Sequence, residues 1–140
     1  MTSIQDHLLQ RIDGSIQAIE SVRTLLPELI RVGTSIFERM DAGGILYTAG
    51  NGGSAAHALH LAEELIGKYR SERPPLPAVC LNADPTALTC IANDFGYDAV
   101  FARPCRALLR RGDILLVCST SGRSDNLIEA LQVARDNEIL

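Results

Sequence analysis

No run in the sequence approaches the roughly 20 apolar residues that a membrane-spanning helix needs. The N-terminus lacks a basic stretch followed by unbroken apolar residues, so no signal peptide is expected. The four cysteines, Cys80, Cys90, Cys105 and Cys118, form no CxxC pair, which argues against a zinc ribbon or a dithiol redox motif. Cys80 and Cys118 fall inside apolar, strand-like runs, where a buried reduced thiol is the plain reading. Basic charge is not in surplus: the formal net charge is -4 and the sequence pI about 5.3. A surface that coats nucleic acid would be basic, although an acidic protein can still hold a phosphate in a locally electropositive pocket. Histidine is scarce, with only His7, His57 and His60. These absences leave a cytoplasmic, reduced enzyme or binding protein, with neither nucleic acid nor membrane as a partner.

The chain has 140 residues, 46% hydrophobic and 21% charged. That is enough for one domain, residues 1–140, with a real core. Residues 3–25 carry Ile4, Leu8, Ile12, Ile16, Ile19 and Val22 at steps of three and four, the stripe of an amphipathic helix. Pro27 suits the first turn of a second helix, which runs to the Gly43-Gly44 stop. Residues 1–43 thus read as a helical hairpin, and hairpins of this kind often pack against their own copies.

Residues 44–140 read as an α/β core. "GILYTAG" (44–50), "LPAVCLN" (76–82) and "ILLVCS" (114–119) are short apolar runs suited to buried strands. Between them the pattern predicts a helix over 54–69 and another opened by Asp84-Pro85. A turn at "NDFGY" then leads to a helix running to Gly112. A last helix follows "STSGRS". Strand and helix alternate, which means a parallel sheet flanked by helices. Ligands of such sheets sit at the carboxyl ends of the strands.

Two turns leave strands at that edge. "GNGGS" has neither the GxGxxG spacing of a dinucleotide site nor the GK[ST] of a P-loop. What remains is a glycine-rich backbone able to approach a ligand at a positive helix N-terminus. In "STSGRS" the hydroxyls of Ser119, Thr120 and Ser121 precede Gly122, and Ser124 opens the helix. Hydroxyl donors and free helical N–H groups suit a phosphate dianion. Either turn alone could be ordinary capping; two at one edge point to a ligand.

His60 and Glu64 are spaced i, i+4 on the helix that leaves the first turn, so they share a face, with His57 close to the same stripe. Such a pair can form a hydrogen bond, ligate a metal, serve acid/base chemistry, or be a plain surface pair. A helix that starts at a ligand turn places them near the ligand. Glu63 is read as pointing elsewhere, into solvent.

At "GNGGSAAHALHLAEELIGKY", "LTCIANDFGY" and "STSGRS" the sequence resembles the sugar isomerase (SIS) domain family, and within it the phosphoheptose isomerases. The resemblance implies a homotetramer that interconverts sedoheptulose 7-phosphate and D-glycero-D-manno-heptose 7-phosphate in bacterial heptose biosynthesis. By the same resemblance, Asn51, Gly52, Gly53 and Glu64 would contact the sugar, and Ser119, Thr120, Ser121 and Ser124 the phosphate. Asn93 and Asp94 would line the pocket. His60 and Glu64 would hold zinc, with Glu64 also moving protons. His57 stands where the family commonly has a different polar residue. The family's C-terminal helix brings a Gln and a His to the site, and no residue here matches them. The α/β core is therefore read as lacking its C-terminal strands, and the chain alone is expected to hold zinc weakly and isomerise poorly. The rival readings are a non-catalytic SIS adaptor for the bacterial replication initiator, similar around Glu72 to Asp94, and a phosphosugar-sensing module. Glu64 and Phe95-Gly96 favour the isomerase.

Overall fold

The computed structural model describes residues 3–140, and its contacts divide the chain after Ser35. In the first unit, α1 spans Ile4–Ser21 and a 3-10 turn covers Val22–Leu25. Ser3 caps α1 in a capping box: its hydroxyl accepts from the Asp6 amide at 3.1 Å, and the Asp6 carboxylate accepts from the Ser3 amide at 2.9 Å. The stripe foreseen in the sequence is present, and Ile4, Leu8, Ile12, Ile16 and Ile19 are all exposed. Helix α2, Leu26–Asp41, begins with Pro27 in its first turn and ends before Gly43, whose φ of 94° no branched residue would take readily.

The second unit, Ile36–Leu140, is built on three parallel strands in the order β2-β1-β3. These are β1 (Leu46–Gly50), β2 (Ala78–Cys80) and β3 (Ile114–Cys118). Leu46 pairs with Ala78 on one side and Ile114 on the other. The helices are α3 (Gly53–Ile66), α4 (Pro85–Phe95), α5 (Ala99–Leu108) and α6 (Asp125–Asp136). Strand alternation sorts the core into two layers. Leu46, Ile114, Ala78 and Cys80 pack with Ala58 and Ala62 of α3. Tyr47, Ala49 and Leu115 pack with Phe101 and Cys105 of α5 and with Leu127 and Ala130 of α6. Thr48, fully buried, donates its hydroxyl to the Ala58 carbonyl at 2.8 Å and ties β1 to α3.

The chain crosses from β1 to β2 through α3, then returns past β1 to β3 through α4 and α5. The order therefore reverses beside β1, and both Gly/Ser turns flank that point at the carboxyl edge.

Several boundaries differ from the expected ones. Helix α3 stops at Ile66 rather than Tyr69, because Gly67 caps it with an N–H to the Glu63 carbonyl at 2.7 Å. Strand β2 has only three residues, since Pro77 cannot donate to the ladder at its start. Asn93 and Asp94, expected in a turn, lie in the last turn of α4; the chain turns at Gly96, φ 86°. Helix α5 keeps Pro104 inside it and ends at Leu108, not Gly112, as the Leu109 backbone becomes extended. All four cysteines are free. Cys80 is buried as expected, and burial pushes the Cys105 thiol up to about 11.

Candidate sugar-phosphate site

The first turn depends on glycine where β1 meets α3. A Cβ on Gly50 would come within 2.6 Å of the Ser54 carbonyl group, so only glycine lets the helix start so close to the strand. The Gly50 backbone is held by the Asn82 side chain, which accepts from its N–H at 3.1 Å and donates to its carbonyl at 2.9 Å. Gly52 and Gly53 are exposed, with open space where a side chain would be, and no side chain caps α3. The helix N-terminus is left to face whatever enters the crevice.

The second turn, Ser119 to Ser124, is exposed apart from a half-buried Ser124. Ser119 Oγ accepts from the Gly122 amide at 3.0 Å, and Ser121 Oγ accepts from the Arg123 amide at 3.2 Å. Each hydroxyl still has its proton to donate. Ser124 is the N-cap residue of α6, yet its hydroxyl caps nothing. A normally satisfied cap position is thus uncommitted at the positive end of a helix.

The two turns meet through side chains. Asn51 Nδ2 donates to Asn126 Oδ1, and Asn126 Nδ2 donates to Asn51 Oδ1, both at 2.9 Å. Tyr97, in the α4–α5 corner, adds a hydroxyl donated to Asn51 Oδ1 at 3.0 Å. Asn93 and Asp94 stand just before that corner, exposed, with Asn93 Nδ2 donating to Asp94 Oδ1 at 2.7 Å.

His60 and Glu64 lie further along α3. They stand seven and eleven residues past Gly53, so helical rise alone carries their Cα atoms about 10 and 16 Å from the turn. The sequence had placed them near the ligand; that gap is narrowed only by the lean of helical side chains toward the N-terminus. The lean is visible in the contact of Glu64 Oε1 with His60 Nε2 at 3.5 Å. Glu63, expected to point elsewhere, approaches His60 Nδ1 with its Oε2 at 3.3 Å, because i, i+3 neighbours share a face as i, i+4 neighbours do. One donor atom from each of His60, Glu63 and Glu64 lies within 4.8 Å of the other two. A nitrogen and two carboxylate oxygens are a donor set of the kind that holds a metal ion. His57 is outside this trio but lines the adjoining groove of about 540 Å³ with His60, Glu64, Tyr69 and Arg73. The Arg73 guanidinium donates to the Glu64 carbonyl at 2.6 Å and to the Leu65 carbonyl at 2.9 Å, fixing the end of α3.

With this geometry in place, likeness to known proteins becomes decisive. The SIS domain model matches residues 12–140. The chain belongs to the SIS domain family. Among curated relatives, the SIS domain is 52% identical over 105 residues to a phosphoheptose isomerase of Streptomyces coelicolor, covering 75% of this chain and 46% of that protein. It is 46% identical over its full 140 residues to one from a Bradyrhizobium strain, covering 71% of that protein. The chain thus spans from about half to about seven-tenths of these relatives. A solved phosphoheptose isomerase from Francisella tularensis superposes with a TM-score of 0.93 at 35% identity, over 98% of this chain and 72% of that one.

Three residues that hold these turns were missed in the sequence. Asn126 carried a signal: it sits on the buried stripe of α6 with Leu127, Ala130 and Val133, where a polar residue needs a partner. Asn82 and Tyr97 carried none, since their partners lie on other segments.

Proposed function

We propose that the chain forms the larger part of a site that interconverts sedoheptulose 7-phosphate and D-glycero-D-manno-heptose 7-phosphate in heptose biosynthesis. The observation that supports it best is the joining of two helix-start turns at the sheet's reversal point, with a His–Glu pair on the helix leaving the first. The Ser119–Ser124 turn takes the phosphate through hydroxyl donors and the α6 N-terminus. Asn51, Gly52 and Gly53 take the sugar, with Asn93 and Asp94 beside it. Glu64, three-quarters buried, removes a proton from C1 of the ketose and returns it to C2, while a hydroxyl proton passes from O1 to O2. His60 and Glu64 hold zinc, and Glu63 is close enough to join them. Zinc supplies charge to stabilise the enediolate oxygens when bound. The test is conversion followed by NMR on the chain joined to the C-terminal segment of a longer relative. Conversion is expected with zinc and its loss with chelator. Conversion by neither the joined chain nor the 140 residues alone would reject the proposal.

The apolar stripe of α1 supports a homotetramer as the working assembly. Ile4, Leu8, Ile12, Ile16 and Ile19 stand at least 50% exposed, more than a monomer usually leaves in one row. Light scattering at micromolar concentration should give a mass well above that of one chain. A clean monomer would refute it.

A further inference from the structure

Asn51 is one of the residues assigned to the sugar, yet its side chain is almost fully used inside the protein. Its Oδ1 accepts from both Asn126 Nδ2 and Tyr97 Oη, and one of its two Nδ2 hydrogens goes to Asn126 Oδ1. An amide oxygen has two lone pairs and an amide nitrogen two hydrogens. One N–H is left to offer a ligand, and no acceptor. Asn126 is the reason. It is 2% exposed, sits in the first turn of α6, and belongs to the helix that begins at the phosphate turn. Its reciprocal pair with Asn51 is a side-chain link between the start of α3 and the start of α6. A buried amide that lost this partner would be left unsatisfied, so the pair holds one geometry.

We infer that Asn126 is a positioning residue, with Tyr97 as its exposed support. The amide pair sets the distance between the sugar-holding turn and the phosphate-holding turn, and orients Asn51 so that it recognises a sugar oxygen as a donor only. This rests on the sugar-phosphate reading above. The ligand it selects has a phosphate at one end and a hydroxyl or carbonyl acceptor at a fixed reach from it. Inorganic phosphate, which engages one turn, is indifferent to that distance; a sugar phosphate, which bridges both, is not.

The experiment titrates the 140-residue chain with sedoheptulose 7-phosphate and, separately, with inorganic phosphate. Wild type, Asn126→Asp and Tyr97→Phe are compared, with thermal unfolding of each. The carboxylate introduced by Asn126→Asp can accept from Asn51 Nδ2 but cannot donate back, so the pair is broken at nearly constant shape. Tyr97 is exposed, and its loss of one hydroxyl does not endanger folding. The expected result is an affinity for the sugar phosphate weakened about tenfold or more in Asn126→Asp and several-fold in Tyr97→Phe. Inorganic phosphate should bind Tyr97→Phe within about twofold of wild type. In Asn126→Asp the added negative charge at the α6 N-terminus weakens both ligands, and the sugar phosphate should lose several-fold more than inorganic phosphate. Equal losses for the two ligands in both variants would reduce Asn126 to a structural role and overturn the inference. So would unchanged sugar-phosphate affinity in folded Asn126→Asp and Tyr97→Phe. Failure of the wild type to bind the sugar phosphate at all, while binding inorganic phosphate, would instead reject the proposed substrate and the inference with it.

Discussion

Replacing Glu64 with glutamine should slow heptose phosphate interconversion by about 10²–10⁴-fold, the usual contribution of a positioned general base. The amide is nearly isosteric with the carboxylate, so packing at the α3 surface is preserved. It cannot accept the C1 proton, and it is a poorer partner for zinc. Those two losses separate by measurement. If Glu64 acts only through the metal, excess zinc should restore much of the rate in Glu64→Gln. If it moves the proton, the rate stays low when zinc is saturating, while sugar-phosphate affinity changes little. The second outcome is expected, because the carboxylate is more enclosed than its neighbours: Glu64 is 26% exposed, against 66% for Glu63 and 70% for His60. Glu63→Gln should therefore cost far less, and an intact rate in Glu64→Gln would remove Glu64 from the chemistry. The measurement is progress of the NMR-monitored reaction on the chain joined to a relative's C-terminal segment, at several zinc concentrations.

Replacing Ser119 and Ser124 together with alanine should abolish measurable sugar-phosphate binding. A hydrogen bond to a charged ligand contributes roughly 1.5–3 kcal/mol, about ten- to a hundredfold in affinity, so two such bonds account for about 10²–10⁴-fold. The two serines do different things in the free protein. Ser119 Oγ accepts from the Gly122 amide and shapes the turn, so Ser119→Ala loosens the loop as well as removing a donor. Ser124 makes no cap bond, so Ser124→Ala should weaken phosphate binding about tenfold or more while leaving thermal stability unchanged. Loss of stability without loss of affinity in Ser124→Ala would mean that the hydroxyl is a cap after all. Titration calorimetry beside thermal unfolding separates the two.

Periodicity carried most of the fold. The α1 stripe, the three strand runs and the two glycine-bearing turns are local patterns, and the parallel order follows from their alternation. Boundaries failed where a single residue overrode the pattern: Gly67 ended α3 early, and the turn expected at Asn93-Asp94 came at Gly96. The site was legible as segments but not as an assembly. His60 and Glu64 are recognisable by spacing, and their separation from the turn could have been counted, since each residue of helix adds about 1.5 Å. Glu63 is solvated, as its pattern suggests, yet as the i+3 neighbour of His60 it lies as close to that ring as the i+4 residue does. The Asn51–Asn126 pair spans 75 positions and joins segments that only the sheet brings together.

The most direct measurement is an amide NMR titration of the 140-residue chain with sedoheptulose 7-phosphate. The account predicts saturable shifts at Gly52 and Gly53 and across Ser119–Ser124, relayed to Asn51, Asn126 and Tyr97. The cleft at the opposite edge of the sheet, lined by Arg39, Arg110 and Arg111, should stay unperturbed. Shifts confined to that arginine-lined edge, or no saturable shift at either turn, would contradict it.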